Sequence, residues 1–250
     1  MKVHPWLLAP AVIAGCGLVN SNTFSYSYDF APQGFMESFG MPSSSTVPMV
    51  TCDPTAAPGS SSDPCAALQM QIMGSAAKLS CDTTSRMCAA VVDVRLPYPV
   101  DLSMQTLPPE VVQYGVDKVS IQKIAYWVMN DHVNVEIPPI DLYVASAAAK
   151  DENDPSAKLV GTVSKLPAMA SQCTDPADTG DKISEANGRP VCDLDLSSAG
   201  QSALAGFVKD YKTPFQFIAH TKLVAHGGDP LPSGDLNFFV RPTVQFSVLK

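Results

Sequence analysis

From residue 23 onward the chain alternates large apolar residues with small or polar ones, over short runs separated by Pro, Gly, Ser and Asp. Residues 23–30 place Phe24, Tyr26, Tyr28 and Phe30 on one parity, the period of a half-buried strand. Residues 41–64 are rich in Ser and Pro and poor in large apolar residues, which predicts a loop crossed by a disulfide. Asp63-Pro64 then supplies an N-cap and a first helical residue, for a helix running to about residue 78 with Leu68, Ile72 and Ala76 on one face. Strands are predicted at residues 89–96, 118–129, 133–137, 140–146, 158–163 and 215–224, with Leu194 and Leu196 continuing a sheet. Within 118–129 the apolar parity slips from Val119 and Ile121 to Ile124, Tyr126 and Val128, which predicts a bulge near Lys123. Asn130-Asp131 suits a hairpin turn.

A short helical turn is expected from Leu107 to Tyr114. Ser197 or Ser198 can cap a helix that reaches about Tyr211 and buries Leu204, Phe207 and Val208. The longest regular run is 236–249. There Leu236, Phe238, Val240, Val244, Phe246 and Val248 share one parity, with Pro242 in the same series as the mark of an edge or a bend. About nine strands, two modest helices and hairpin-like spacing predict a mainly β fold, an antiparallel β-sandwich with helices in its connections. No regular βαβ alternation and no internal repeat is present.

The first residues follow a different pattern. Lys2 precedes a short apolar stretch, Trp6 to Ala14, about half of what a spanning helix needs and interrupted by Pro10. Ile13-Ala14-Gly15-Cys16 closes it. This arrangement resembles a bacterial lipoprotein signal. The resemblance covers residues 1–16 and implies removal of 1–15, attachment of lipid at Cys16, export, and membrane partnership through the N-terminal lipid. Gly17 in place of Asp implies, by the same resemblance, the outer membrane of a bacterial cell envelope. The expected organisation is a signal at 1–15, a lipidated tether at 16–23 and one β-sandwich at 24–250 with a loop and helix inserted at 41–80. A three-chain lipid is a lasting anchor, since each buried CH₂ contributes about 0.8 kcal/mol. Residues 17–23 reach at most about 25 Å.

With Cys16 set aside, six of the seven cysteines remain: Cys52, Cys65, Cys81, Cys88, Cys173 and Cys192. An even set in an exported chain reads as disulfides. Nearest-neighbour pairing (Cys52–Cys65, Cys81–Cys88, Cys173–Cys192) would staple three polar loops, each by roughly 2–3 kcal/mol. No C-x-x-C occurs, and the spacings match no structural zinc pattern. The net charge of −8 argues against nucleic acid and against electrostatic docking on anionic lipid.

Candidate chemistry is sparse. His220 and His226 lie too far apart along a strand, about 20 Å, to share an ion unless 227–234 folds the chain back. Asp151 and Asp154 with Glu152 and Asn153, and Asp175, Asp178 and Asp181 with Glu185, are weak calcium candidates. Neither group fits an EF-hand, because Pro155 and Ser156 occupy positions that need a ligand and a Gly. Ser202 lacks the second Gly of a nucleophile elbow. No H-E-x-x-H, P-loop or dinucleotide glycine motif is present. Tyr126 and Trp127, adjacent on a strand, face opposite sides, so one is core and the other lies exposed or under a loop. Phe239 is the lone apolar residue on the polar face of its strand. No catalytic residue and no cofactor are expected.

These features favour a non-enzymatic, lipid-anchored envelope protein that binds an envelope protein partner in, or gives structure to, an outer-membrane assembly. A glycan- or peptidoglycan-binding module, with or without calcium, is the alternative. A hydrolase with an unrecognised site is a third reading.

Overall fold

A computed structural model describes residues 23–31, 33–40, 45–55, 63–72, 77–104, 107, 109–169 and 192–249. Two antiparallel sheets face one another. The first contains β1 (Thr23–Asp29), β2 (Gln33–Gly40), β5 (Lys118–Asp131), β8 (Cys192–Asp193) and β11 (Ser233–Leu249). The second runs β3 (Ala77–Cys81), β4 (Cys88–Val100), β10 (Phe215–Ala225), β6 (Ile140–Ser146), β7 (Lys158–Val163) and β9 (Asp195–Leu196). Helices α1 (Pro64–Ile72), α2 (Pro109–Tyr114) and α3 (Ser198–Lys209) lie in the connections. The expected antiparallel β-sandwich is the fold, with eleven strands and three α-helices among the described residues.

The core follows from strand parity. Inward residues of β11, Phe238, Val240, Val244, Phe246 and Val248, meet Val92 and Val94 of β4, Leu142 and Val144 of β6, and Phe215 and Phe217 of β10 in one cluster. Tyr126 packs within it, 6.1 Å from Phe238 between ring centroids. Each such side chain, fully buried, contributes roughly 1.5–3 kcal/mol by its removal from water.

Of the edge or bend that Pro242 suggests, the edge is corrected: β11 is not an edge strand. It is the centre of its sheet, with β5 on one side and β1 and β2 both on the other. The register of β1 and β2 against β11 differs by one residue, so the two follow one another along the same side of β11 with a one-residue bulge in register at the break between them. The carbonyl of Pro242 accepts from Phe30 N–H, 3.0 Å, at that bulge. The side of Pro242 that lacks an N–H therefore faces the point where the neighbouring ladder is already interrupted.

The bulge expected near Lys123 is present. Thr243 pairs with Lys123 and Val244 with Ile121, leaving Gln122 as the extra residue. It moves the buried parity from Val119 and Ile121 to Ile124, Tyr126 and Val128. Other expectations are corrected. Helix α1 ends at Ile72, short of the expected residue 78, and Ala77–Cys81 pairs with β4 as a strand. Strand β5 continues through Asp131, so Asn130-Asp131 is no hairpin turn. Residues 133–137 form no strand: Val133 and Ile137 are buried, but only Ile137 makes a bridge, to Leu166. Burial alone produces that alternation.

Capping chemistry held where it was read. Cys65 N–H donates to Asp63 Oδ1 at 3.0 Å, and Gly200 N–H donates to Ser197 Oγ at 2.9 Å. Helix α3 lies close on β7: a Cβ on Gly200 would stand 2.4 Å from the Leu159 carbonyl and from Val160 Cα. Just before α3 the chain changes sheets. Cys192 pairs with Tyr126 in one, and Leu196 pairs with Gly161 in the other.

Candidate functional site

The outward face of the six-stranded sheet carries a connected set of charges. Arg95 on β4, His220 on β10 and Asp141 on β6 are direct cross-strand neighbours, and Thr162 on β7 extends the row. Asp93 lies two residues before Arg95 on the same face. Glu152 comes from the 147–157 connection between β6 and β7. That connection folds over the sheet because Ala149 and Ala157 pack on Ala145, Tyr143 and Ile218, a small apolar cluster outside the main core. Gln216 Nε2 reinforces it by donating to the carbonyls of Ser146 (3.1 Å) and Ala149 (2.5 Å).

Once folded over, the connection delivers Glu152 to Arg95. Arg95 Nε donates to Oε2 at 2.8 Å and Nη2 to Oε1 at 3.0 Å, a bidentate pair. Arg95 Nη1 also reaches Asp93 Oδ2 at 2.8 Å. His220 Nε2 stands 3.0 Å from Asp93 Oδ1 and 3.8 Å from Glu152 Oε1. Thr162 Oγ1 donates to Asp141 Oδ1 at 2.7 Å. The guanidinium holds the Glu152 carboxyl down at about 2, against an ordinary 4.5, in spite of its burial. Donating to Glu152 pushes Arg95 further up. Burial, with Asp141 and Glu152 nearby, raises the Tyr143 phenol.

In this network each carboxylate named has a donor from a neighbouring side chain. The histidine lies between two acids, and among the described residues no hydroxyl or thiol is recorded in contact with it. The chemistry it performs is to pin the 147–157 connection on the sheet. The sequence singles out two of its members, His220 and Glu152, but nothing in it joins them to each other or to Asp93, Arg95 and Asp141. Asp93, Arg95, Asp141 and His220 sit on three strands far apart in the chain, and only the strand order makes them neighbours.

The calcium candidates divide. Asp151 Oδ1 accepts from Asn153 N–H at 2.9 Å, and Asp154 Oδ1 accepts from Ser156 N–H (2.9 Å) and Oγ–H (2.7 Å). Both carboxylates serve turns of their own loop. Asp175, Asp178 and Asp181 lie outside the described residues. Among the described residues the one group of three close metal-type ligand atoms is Cys52, Cys65 and Cys88, within 4.8 Å of one another. All three are in disulfides, so none offers a thiolate.

The pairing is crossed, Cys52–Cys81 and Cys65–Cys88, which corrects Cys52–Cys65 and Cys81–Cys88. Cys81 and Cys88 oppose one another on the β3–β4 hairpin, and that hairpin lies between two other elements. On one side, Cys52 N–H donates to the Arg86 carbonyl and Cys88 N–H to the Val50 carbonyl, both at 2.9 Å. On the other, α1 packs against β3 and carries Cys65. Each hairpin cysteine therefore ties a different neighbour, and the four sulfurs form the centre of a second core with Val47, Leu79, Ala90, Ala225 and Leu231. Cys192 is disulfide-bonded too; Cys173, its expected partner, lies outside the described residues, as does Cys16.

The remaining candidates are spoken for. Ser202 Oγ donates to the Ser198 carbonyl of its own helix at 2.9 Å. His226 Nδ1 is 3.5 Å from Asp82 Oδ2, and its N–H donates to Asp229 Oδ2 at 2.9 Å. Trp127, opposite Tyr126 as expected, is 5% exposed. It stacks on Phe239 at 5.5 Å and 10°, with Arg241 Cζ 5.9 Å from its ring. A ring so enclosed gives a sugar no platform. No protein-family model, curated protein or solved structure matches this chain.

Proposed function

We propose that this chain is a lipid-anchored protein of the bacterial cell envelope, a non-enzymatic structural or binding subunit of an outer-membrane assembly. The observation that carries this reading is the placement of the Ile13-Ala14-Gly15-Cys16 motif only seven residues before Thr23, where the sheet begins. A lipid on Cys16 would hold the edge strand of the sandwich within about 25 Å of a bilayer. The cross-element disulfides suit an oxidising compartment. The charged network on the outer sheet face supports a structural role, since its groups satisfy one another. Trp127 is enclosed and so offers no stacking face to a glycan.

The test is purification of the full-length protein from native membranes in mild detergent, with mass spectrometry of what accompanies it. A stoichiometric envelope partner that survives dilution is the expected result. Recovery of the protein alone from several detergents would contradict a role as an assembly subunit.

A further inference from the structure

One end of the sandwich is apolar where the chain leaves for its N-terminus. Phe24, Val112, Tyr114 and Leu249 are 45%, 61%, 41% and 54% exposed. They come from three elements that meet there. Thr23 pairs with Leu249, and Phe24 with Val248. Helix α2 lies alongside, so that Phe24, Tyr26 and Tyr114 share a shallow concavity of about 250 Å³ with Glu110, Gln113 and Val248. On α2 itself, Val111 is fully buried and anchors the helix while Val112 and Tyr114 face outward. Four of the nine large exposed apolar side chains among the described residues therefore gather at this end. Fixed charge nearby is mixed: Asp117 and Lys118 follow α2, and Glu110 lies close enough that, after burial, it raises the Tyr26 phenol.

We infer that this end is a lipid-contacting surface, with Phe24, Val112, Tyr114 and Leu249 seated in the headgroup region of the bilayer that holds the N-terminal anchor. The inference rests on lipid attachment at Cys16. The course of the chain singles out a bilayer as the occupant: Thr23, seven positions after Cys16, enters the fold beside Phe24, so this end is the one the tether brings to the membrane. Phe and Tyr with aliphatic neighbours are the residues that partition at the headgroup boundary. The mixed charge and the overall −8 make the attraction apolar, so it depends little on anionic lipid. The opposite end of β11, about 50 Å away along the strand, carries a different hollow lined by Asn134, Glu136, Val224, Asp229 and Pro232.

Full-length Tyr114→Trp and Phe24→Trp proteins, purified from membranes and reconstituted in phosphatidylethanolamine–phosphatidylglycerol vesicles, test this. Val224→Trp, at the far end and 46% exposed, is the control. The indoles introduced at Tyr114 and Phe24 should shift to the blue and lose most of their emission when the acyl chains carry bromine. The one at Val224 should do neither, and the enclosed Trp127 reports that each variant is folded. Equal behaviour at all three positions, or protection of Tyr114→Trp by contact with a second copy, would overturn the proposal. The N-terminal mass of the same samples reads the anchor separately. Lipid on Cys16 with unquenched indoles refutes the surface and leaves the anchor, while quenching without lipid supports the surface and refutes the anchor.

Discussion

Replacing Glu152 by Gln removes the charge that clamps the 147–157 connection and leaves its shape nearly unchanged. The folded carboxyl sits at about 2 because Arg95 grips it, against 4.5 for a free one. That difference corresponds to about 3 kcal/mol if fully expressed. Glu152 is 10% exposed but Arg95 is 35% exposed, so solvent and salt screen the pair and about 1–2 kcal/mol is the expected share. The sign follows from linkage. A carboxyl depressed in the folded state contributes stability above its unfolded value and loses it as pH falls towards its folded value. Glu152→Gln should therefore be less stable than the parent by about 1–2 kcal/mol at neutral pH, and the gap should close between about pH 4.5 and about pH 2. Asp53, Asp82 and Asp154 are also held low by their hydrogen bonds, but they are common to both proteins and cancel in the difference. Urea unfolding followed by Trp127 emission across this range gives the two curves. A gap that stays constant down to about pH 2, or is absent at neutral pH, would refute the reasoning.

Non-reducing peptide mapping should find Cys52 linked to Cys81 and Cys65 to Cys88; the double variant Cys65→Ser/Cys88→Ser should lose about 2–4 kcal/mol and loosen α1 to proteases first. Gly200→Ala should cost more than 2 kcal/mol, to be read by thermal unfolding, because the new methyl meets backbone at 2.4 Å and α3 must lift off β7. Ser197→Ala removes an N-cap and should cost about 1 kcal/mol in the same assay.

What the sequence made legible was governed by local rules. Period-2 burial marked β10 and β11, the parity slip in β5 placed a bulge near Lys123, one residue from the unpaired Gln122, and Asp63 and the Ser197-Ser198 pair announced their helices. The errors arose where a distant partner decides. Gln33–Gly40 contains too few apolar residues to declare a strand, yet β11 supplies its ladder. Pro242 reads as an edge or a bend, because the sequence does not show that β1 and β2 meet beside it with a one-residue offset in register. Cysteine count gave an even set, while the pairing followed from a hairpin lying between two other segments. The charged network was hidden for the same reason. The strand order that sets Arg95 beside His220 and His220 beside Asp141 is a tertiary fact.

The claim on which the proposed function stands is the lipid at Cys16. Mass spectrometry of the N-terminal peptide of protein taken from native membranes tests it most directly. A peptide that begins at Cys16 and carries a diacylglyceryl group on its sulfur is the predicted result. A peptide that begins elsewhere, or one in which Cys16 is a free thiol or a disulfide, would contradict it.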